Sequence, residues 1–77
     1  MMPASAAEFS LSIGGQHLIE TDARVTRLAV GDPEIADVQI LSAREVRILG
    51  AKPGTTDLMI WQQGNETPIV HRIVVGV

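Results

Sequence analysis

The chain has 77 residues, no cysteine and a formal net charge of −3. That length allows one domain, and a domain this small buries only about 60% of its unfolded surface. Without cysteine there is no disulfide framework or thiolate metal site, and the acidic balance argues against nucleic acid, whose phosphates need a basic face.

Residues 1–8, Met-Met-Pro-Ala-Ser-Ala-Ala-Glu, show no structural period and read as a disordered arm. Within them Ala4-Ser5-Ala6 has the small-x-small form of a signal-peptidase site, which fits the remnant of an export signal. A plain arm of small residues fits it equally. Residues 9–77 form the single expected domain, and the apolar ending Ile73–Val77 reads as a fragment of a longer chain. No run approaches the ~18 apolar residues that span a bilayer.

Phe9–Ile13 alternates apolar and polar, as a half-buried strand does. Gly14-Gly15 turns the chain into a short strand over His17–Glu20. Val25–Val30 follows, with Leu28 and Val30 on one face and Arg27 on the other; Val38–Leu41 places Val38 and Ile40 together. In Glu45–Leu49, Val46 and Ile48 point inward while Glu45 and Arg47 point out. Pro53-Gly54 predicts a type II corner with positive φ at Gly54. Thr55–Trp61 is apolar on both faces from Leu58 onward, so it predicts a central strand covered on both sides, with Trp61 read as a core anchor in preference to an exposed contact. Gln62–Glu66 reads as a polar hairpin loop, and Pro68 opens the last strand, Ile69–Val77. The fold class is therefore all-β, a small sandwich of immunoglobulin-like or barrel-like form.

One short helical turn is expected near 33–36, in Val30-Gly31-Asp32-Pro33-Glu34-Ile35-Ala36-Asp37-Val38. Asp32 suits an N-cap that accepts from amides two and three residues on. Pro33 suits the first helical position, and Glu34 suits the positive end of the peptide dipoles. Gly31 lets the chain bend, and Ile35 and Ala36 drop onto the core. The structural turn residues are thus Gly31, Asp32, Pro33, Pro53 and Gly54.

Nothing in the chain has the pattern of an active site. Asp32, Glu34 and Asp37 are better read as capping and surface charge than as a catalytic pair or calcium loop, since Pro33 breaks the calcium spacing. Lys52-Pro53-Gly54-Thr55-Thr56 has the wrong order for a phosphate loop and leads into a strand. No serine sits in a nucleophile motif, and His71 reads as a partly buried strand residue. The expected cofactor and metal sites are none, with no small-molecule substrate. Glu34, Arg44 and Arg47 are the candidate protein-contact residues.

The Val30–Val38 turn, the Glu45–Gly50 strand, and Lys52-Pro53-Gly54-Thr55-Thr56 running into Leu58-Met59-Ile60-Trp61 resemble the N-terminal domain of pilus-formation secretins. These are outer-membrane channel subunits of tight-adherence (Flp-type) pili, related to type II and type III secretion secretins. The resemblance covers about Leu11 to Val77 and departs from the family at Glu20-Thr21-Asp22, where an apolar-Pro connection is commoner. It implies a non-catalytic module on the periplasmic side of the outer membrane in a Gram-negative bacterium. Its expected partners are other copies of the subunit, in a homo-oligomeric ring, and the inner-membrane machinery. A looser likeness to bacterial immunoglobulin-like domains supplies the alternative, a binding or spacer module of a surface adhesin.

Overall fold

A computed structural model describes residues 7–76. Most of the expected arm, with the small-x-small motif at 4–6, lies outside the described residues, as does Val77. Seven strands follow one another: β1 (Glu8–Ser12), β2 (Gln16–Glu20), β3 (Val25–Val30), β4 (Ala36–Ser42), β5 (Glu45–Gly50), β6 (Gly54–Gln62) and β7 (Ile69–Gly76). They form two sheets, ordered β1-β7-β6-β3 and β2-β5-β4. The result is the small all-β sandwich that alternation and turn spacing predict.

All neighbours pair antiparallel except β1 and β7, which run parallel with Phe9 opposite Ile73 and Leu11 opposite Val75. Parallel strands need a long crossover, and here the five intervening strands supply it. The first strand is thereby closed against the last.

The core lies where the inner faces of β5, β6 and β7 meet. Ala36, Val46, Ile48, Leu58 and Ile73 are wholly inaccessible, with Ile60 and Val75 nearly so. Phe9, Leu11, Ile19, Leu28, Ile35 and Val38 pack around them. Each side chain of this size contributes roughly 1.5–3 kcal/mol on full burial, so aliphatic residues suffice without aromatics. A β-bulge in β3 adds Val25 to the set. Val25 pairs with Gln62 and Arg27 with Trp61, so Thr26 is an extra residue. It brings Val25 and Leu28, three apart in sequence, onto the same inner face.

Two local expectations need correction, the cover of β6 and the corner at Gly54. β6 is central in its sheet, but only its inner face is covered; Met59 is exposed and Trp61 points outward beneath Arg27. Trp61 is therefore no core anchor. A strand interior to a sheet is flanked by neighbours in its own plane, which says nothing of a layer above it. Ile40 does pair with buried Val46, yet it stays half exposed because β4 is a free edge. Gly54 is not the second corner of a type II turn. It begins β6, pairs with Val75 and has φ +152°, far from the value near +80° that such a corner takes.

The turn at 33–36 forms as one turn and does not extend into a helix. The Ile35 and Ala36 amides both donate to the Asp32 carbonyl, at 3.1 and 3.3 Å.

Candidate docking surface

The Gly31–Ile35 loop is fastened to the sandwich from both sides. The Gly31 amide donates to the Asp57 carbonyl at 2.9 Å, and the Asp32 amide donates to the Thr56 hydroxyl at 2.8 Å. A Cβ at Gly31 would stand 3.0 Å from that same hydroxyl oxygen, so glycine permits the close approach. From the other side, the amides of Ala51 and Lys52 donate to the Ile35 carbonyl at 2.8 and 3.2 Å. A buried threonine on the central strand thus positions an acidic loop, a link that sequence spacing did not reveal.

Asp32 caps the turn, though through one bond rather than two: its Oδ1 accepts from the Glu34 amide at 3.0 Å. The Ile35 amide is taken by the Asp32 carbonyl instead. Asp32→Ala is expected to destabilise the domain by ~0.5–2 kcal/mol, with Asp32→Asn and Asp32→Ser costing much less. Equilibrium denaturation of the three variants checks this, and equal losses for Asn and Ala would contradict a cap.

Glu34 stands at the outer end of this loop, 77% exposed, with Lys52 Nζ 3.4 Å away. Such an exposed pair contributes little to stability, about 0–1 kcal/mol, so Glu34 is free to serve a contact. Arg44 sits at the other end of β4, in the hairpin to β5. Its carbonyl accepts from the Thr21 amide at 2.9 Å, and its side chain borders an open groove of about 610 Å³ with Glu20, Asp22 and Glu45. Arg47 lies between them on the outer face of β5, opposite Leu18 and Gln39, and donates to the Gln39 side-chain carbonyl. The three candidate contact residues therefore mark three places along one side and do not converge on a single site.

At the open rim between the sheets, the Phe9 ring lies between His17 and His71, with centroids 4.6 and 5.2 Å apart. His71 is buried, and its Nδ1 accepts from the Ala7 amide at 3.2 Å. Burial lowers the His71 pKa from the usual 6.5, because desolvation disfavours the imidazolium. Protonation would also set a second donor against the Ala7 N–H. A depressed folded pKa means the stability is complete above 6.5 and is lost as pH falls through the folded value. The melting temperature is expected to drop between pH 7 and pH 5, and the drop to be smaller in His71→Gln. Identical pH profiles for the two proteins would remove His71 as the cause.

Among the described residues no three histidine, aspartate or glutamate side chains are grouped to hold a metal ion. The remaining surface features are the two outer sheet faces. One carries Met59, Val70 and Trp61 with Arg27 stacked at 4.8 Å; the other carries Leu18 and Arg47. The first face went unread in the sequence, although simple alternation from Leu58 and Ile60 already places 59 and 61 outward.

No curated protein matches the chain at a significant level. A family model does: the pilus formation protein N-terminal region of type II and type III secretion systems matches residues 5–76. Its span takes in all seven strands, the anchored acidic loop and the Lys52–Thr56 connection. The chain belongs to the pilus formation protein N-terminal region family.

Proposed function

We propose that this domain is a non-catalytic, periplasmic docking module of an outer-membrane secretin in pilus assembly or secretion. In the assembled channel it stands as one of many copies in a ring and meets the inner-membrane part of the machine. Family membership across residues 5–76 carries this reading. The geometry supports it: the polar features are a rigidly fastened acidic loop and two open sheet faces, which suit contact with other proteins. Rings multiply weak contacts, since each neighbour is held at high local concentration.

Glu34 is the proposed contact residue toward the machinery, because its side chain is dispensable for the turn that presents it. The test is piliation by cells whose parent gene lacks the domain or carries Glu34→Ala. Deletion is expected to abolish pili, and Glu34→Ala to reduce them while the unfolding free energy stays within ~0.5 kcal/mol of that of the unaltered domain. Normal pili after deletion would overturn the reading, and normal pili with Glu34→Ala would remove that residue alone.

A further inference from the structure

We propose that the outer faces of the two sheets are the two halves of one self-contact. The outer face of β1-β7-β6-β3 in one copy stacks on the outer face of β2-β5-β4 in the next, both copies pointing the same way. This rests on the reading of the domain as one of many copies, and it names the surface through which they meet.

Each face has an apolar row beside a charged rim. On the four-stranded face, strand register sets Ala29, Met59 and Val70 side by side across β3, β6 and β7. Met59 and Val70 are each 38% exposed. One level nearer the end of β6 stand Trp61 and Arg27, with the guanidinium 4.8 Å from the ring centre. On the three-stranded face Leu18, 48% exposed, lies opposite Arg47, and Leu49 lies between Gln16 and Asp37. There the rim is acidic: Glu20 is directly opposite Glu45.

Two observations choose the partner. First, like charges directly opposite in a sheet repel, and among the described residues the one ion pair is Lys52 with Glu34. Glu20 and Glu45 therefore form no ion pair, although Arg44 borders the same groove, and Arg27 forms none either. Second, the basic and acidic rims lie at the same end of the sandwich. The Val25 amide donates to the Ala43 carbonyl at 2.8 Å, the Thr21 amide to Arg44 at 2.9 Å, and the Gln63 amide to Arg24 at 2.8 Å. A second copy in the same orientation brings Arg27, on the β3 edge, toward Glu45 on the middle strand, while Met59 and Val70 cover Leu18 and Arg47.

A two-fold pairing of the three-stranded faces fails this match. Three-stranded face on three-stranded face would set the acidic rim against itself or against Asp37. The two complementary surfaces lie on opposite sides of the domain, so the contact is head-to-tail. Repeated, it gives a ring when the rotation closes and a filament when it does not, and it does not stop at a dimer. The apolar rows are short, so free copies meet weakly and the contact has to be trapped.

The cysteine-free chain suits that experiment. Leu18→Cys and Val70→Cys proteins, both at exposed positions, are mixed at high concentration with a short thiol-specific cross-linker. The mixture is expected to give severalfold more linked pairs than either protein alone, and the double variant in one chain is expected to give a ladder. Arg27→Glu in the Val70→Cys copy is expected to cut the yield severalfold, and Glu45→Arg in the Leu18→Cys copy to restore it. Met59→Cys with Leu49→Cys is a second pair should either variant fold poorly.

Preferential linking of Val70→Cys to itself, or yields no higher than a Gln63→Cys loop control, would overturn the proposal. So would indifference to the charge reversals. The docking reading fails separately, by normal pili after deletion of the domain. Absent cross-links with pili lost on deletion would sink only the face-to-face contact.

Discussion

Gly54→Val is expected to destabilise the domain by about 2–4 kcal/mol, from two effects that add. Gly54 has φ +152°, which L side chains rarely adopt. A Cβ there would also stand 2.7 Å from Ile35 Cδ1 and 3.2 Å from its Cγ1. The obstruction is the tip of a side chain, so Ile35 can yield in part, whereas the backbone strain has no such relief. A double-mutant cycle separates the two. In an Ile35→Ala background the clash is gone, and Gly54→Val is expected to cost at least ~1 kcal/mol less.

For a domain this small the single change corresponds to a fall in melting temperature on the order of 10–20 °C. Equal losses in both backgrounds would assign the whole cost to the backbone. An unchanged melting temperature would show that β6 does not begin as described. The effect reaches the acidic loop through Ile35, whose carbonyl accepts from Ala51 and Lys52 and whose neighbour is Glu34. Displacing it moves the acidic loop.

Strand order along the chain was legible because each strand announced itself locally. Alternation in Glu45–Leu49 and the glycine and proline punctuation at 14–15, 53–54 and 64–68 depend on neighbours a few residues away. Pairing is a different matter. That β1 closes against β7, over sixty residues on, or that Thr56 holds the Asp32 amide, follows from three-dimensional packing, and nothing near either residue encodes it. Burial of β6 is illegible in the sequence for the same reason. An apolar residue at an outward position looks identical in sequence whether a layer covers it or a partner is to do so.

The candidate contact residues show the limit more sharply. Glu34, Arg44 and Arg47 are charges near turns and strand exteriors, and all three face solvent to some degree. Their spacing along β4 and β5 could not tell whether they converge, and they do not. Arg27 on Trp61 is a pair formed across two strands far apart in sequence, so its signal is invisible until register is known. The acidic pair Glu20 and Glu45 is hidden in the same way.

Gly50→Ala is expected to destabilise the domain by about 2–4 kcal/mol, through a single methyl group. Gly50 is buried where β5 passes β1 and β7. Its added Cβ would lie 2.8 Å from the Ser12 carbonyl oxygen, 3.2 Å from Val75 Cγ1 and 3.4 Å from Leu11 Cβ. Here, unlike at Gly54, the closest atom is backbone and cannot rotate away. Nor can either strand retreat freely. The Gly50 amide donates to the Gly15 carbonyl at 2.9 Å, its carbonyl accepts from Gly14 at 2.7 Å, and the Ser12 carbonyl accepts from Gly15 at 2.8 Å. Relief therefore requires breaking bonds that tie β1 to the rest, each contributing roughly 0.5–1.5 kcal/mol. Val75→Ala is expected to rescue little of the loss, in contrast to Ile35→Ala at Gly54. Amide exchange in Leu11 and Ser12 is expected to accelerate before that of β6, because β1 is the edge that must move. A loss below ~0.5 kcal/mol, or exchange that quickens uniformly, would mean that β1 is not held at this crossing. If it is, Gly50 fixes the first strand against the last and keeps the inner face of β1, with Phe9 and Leu11, against the core.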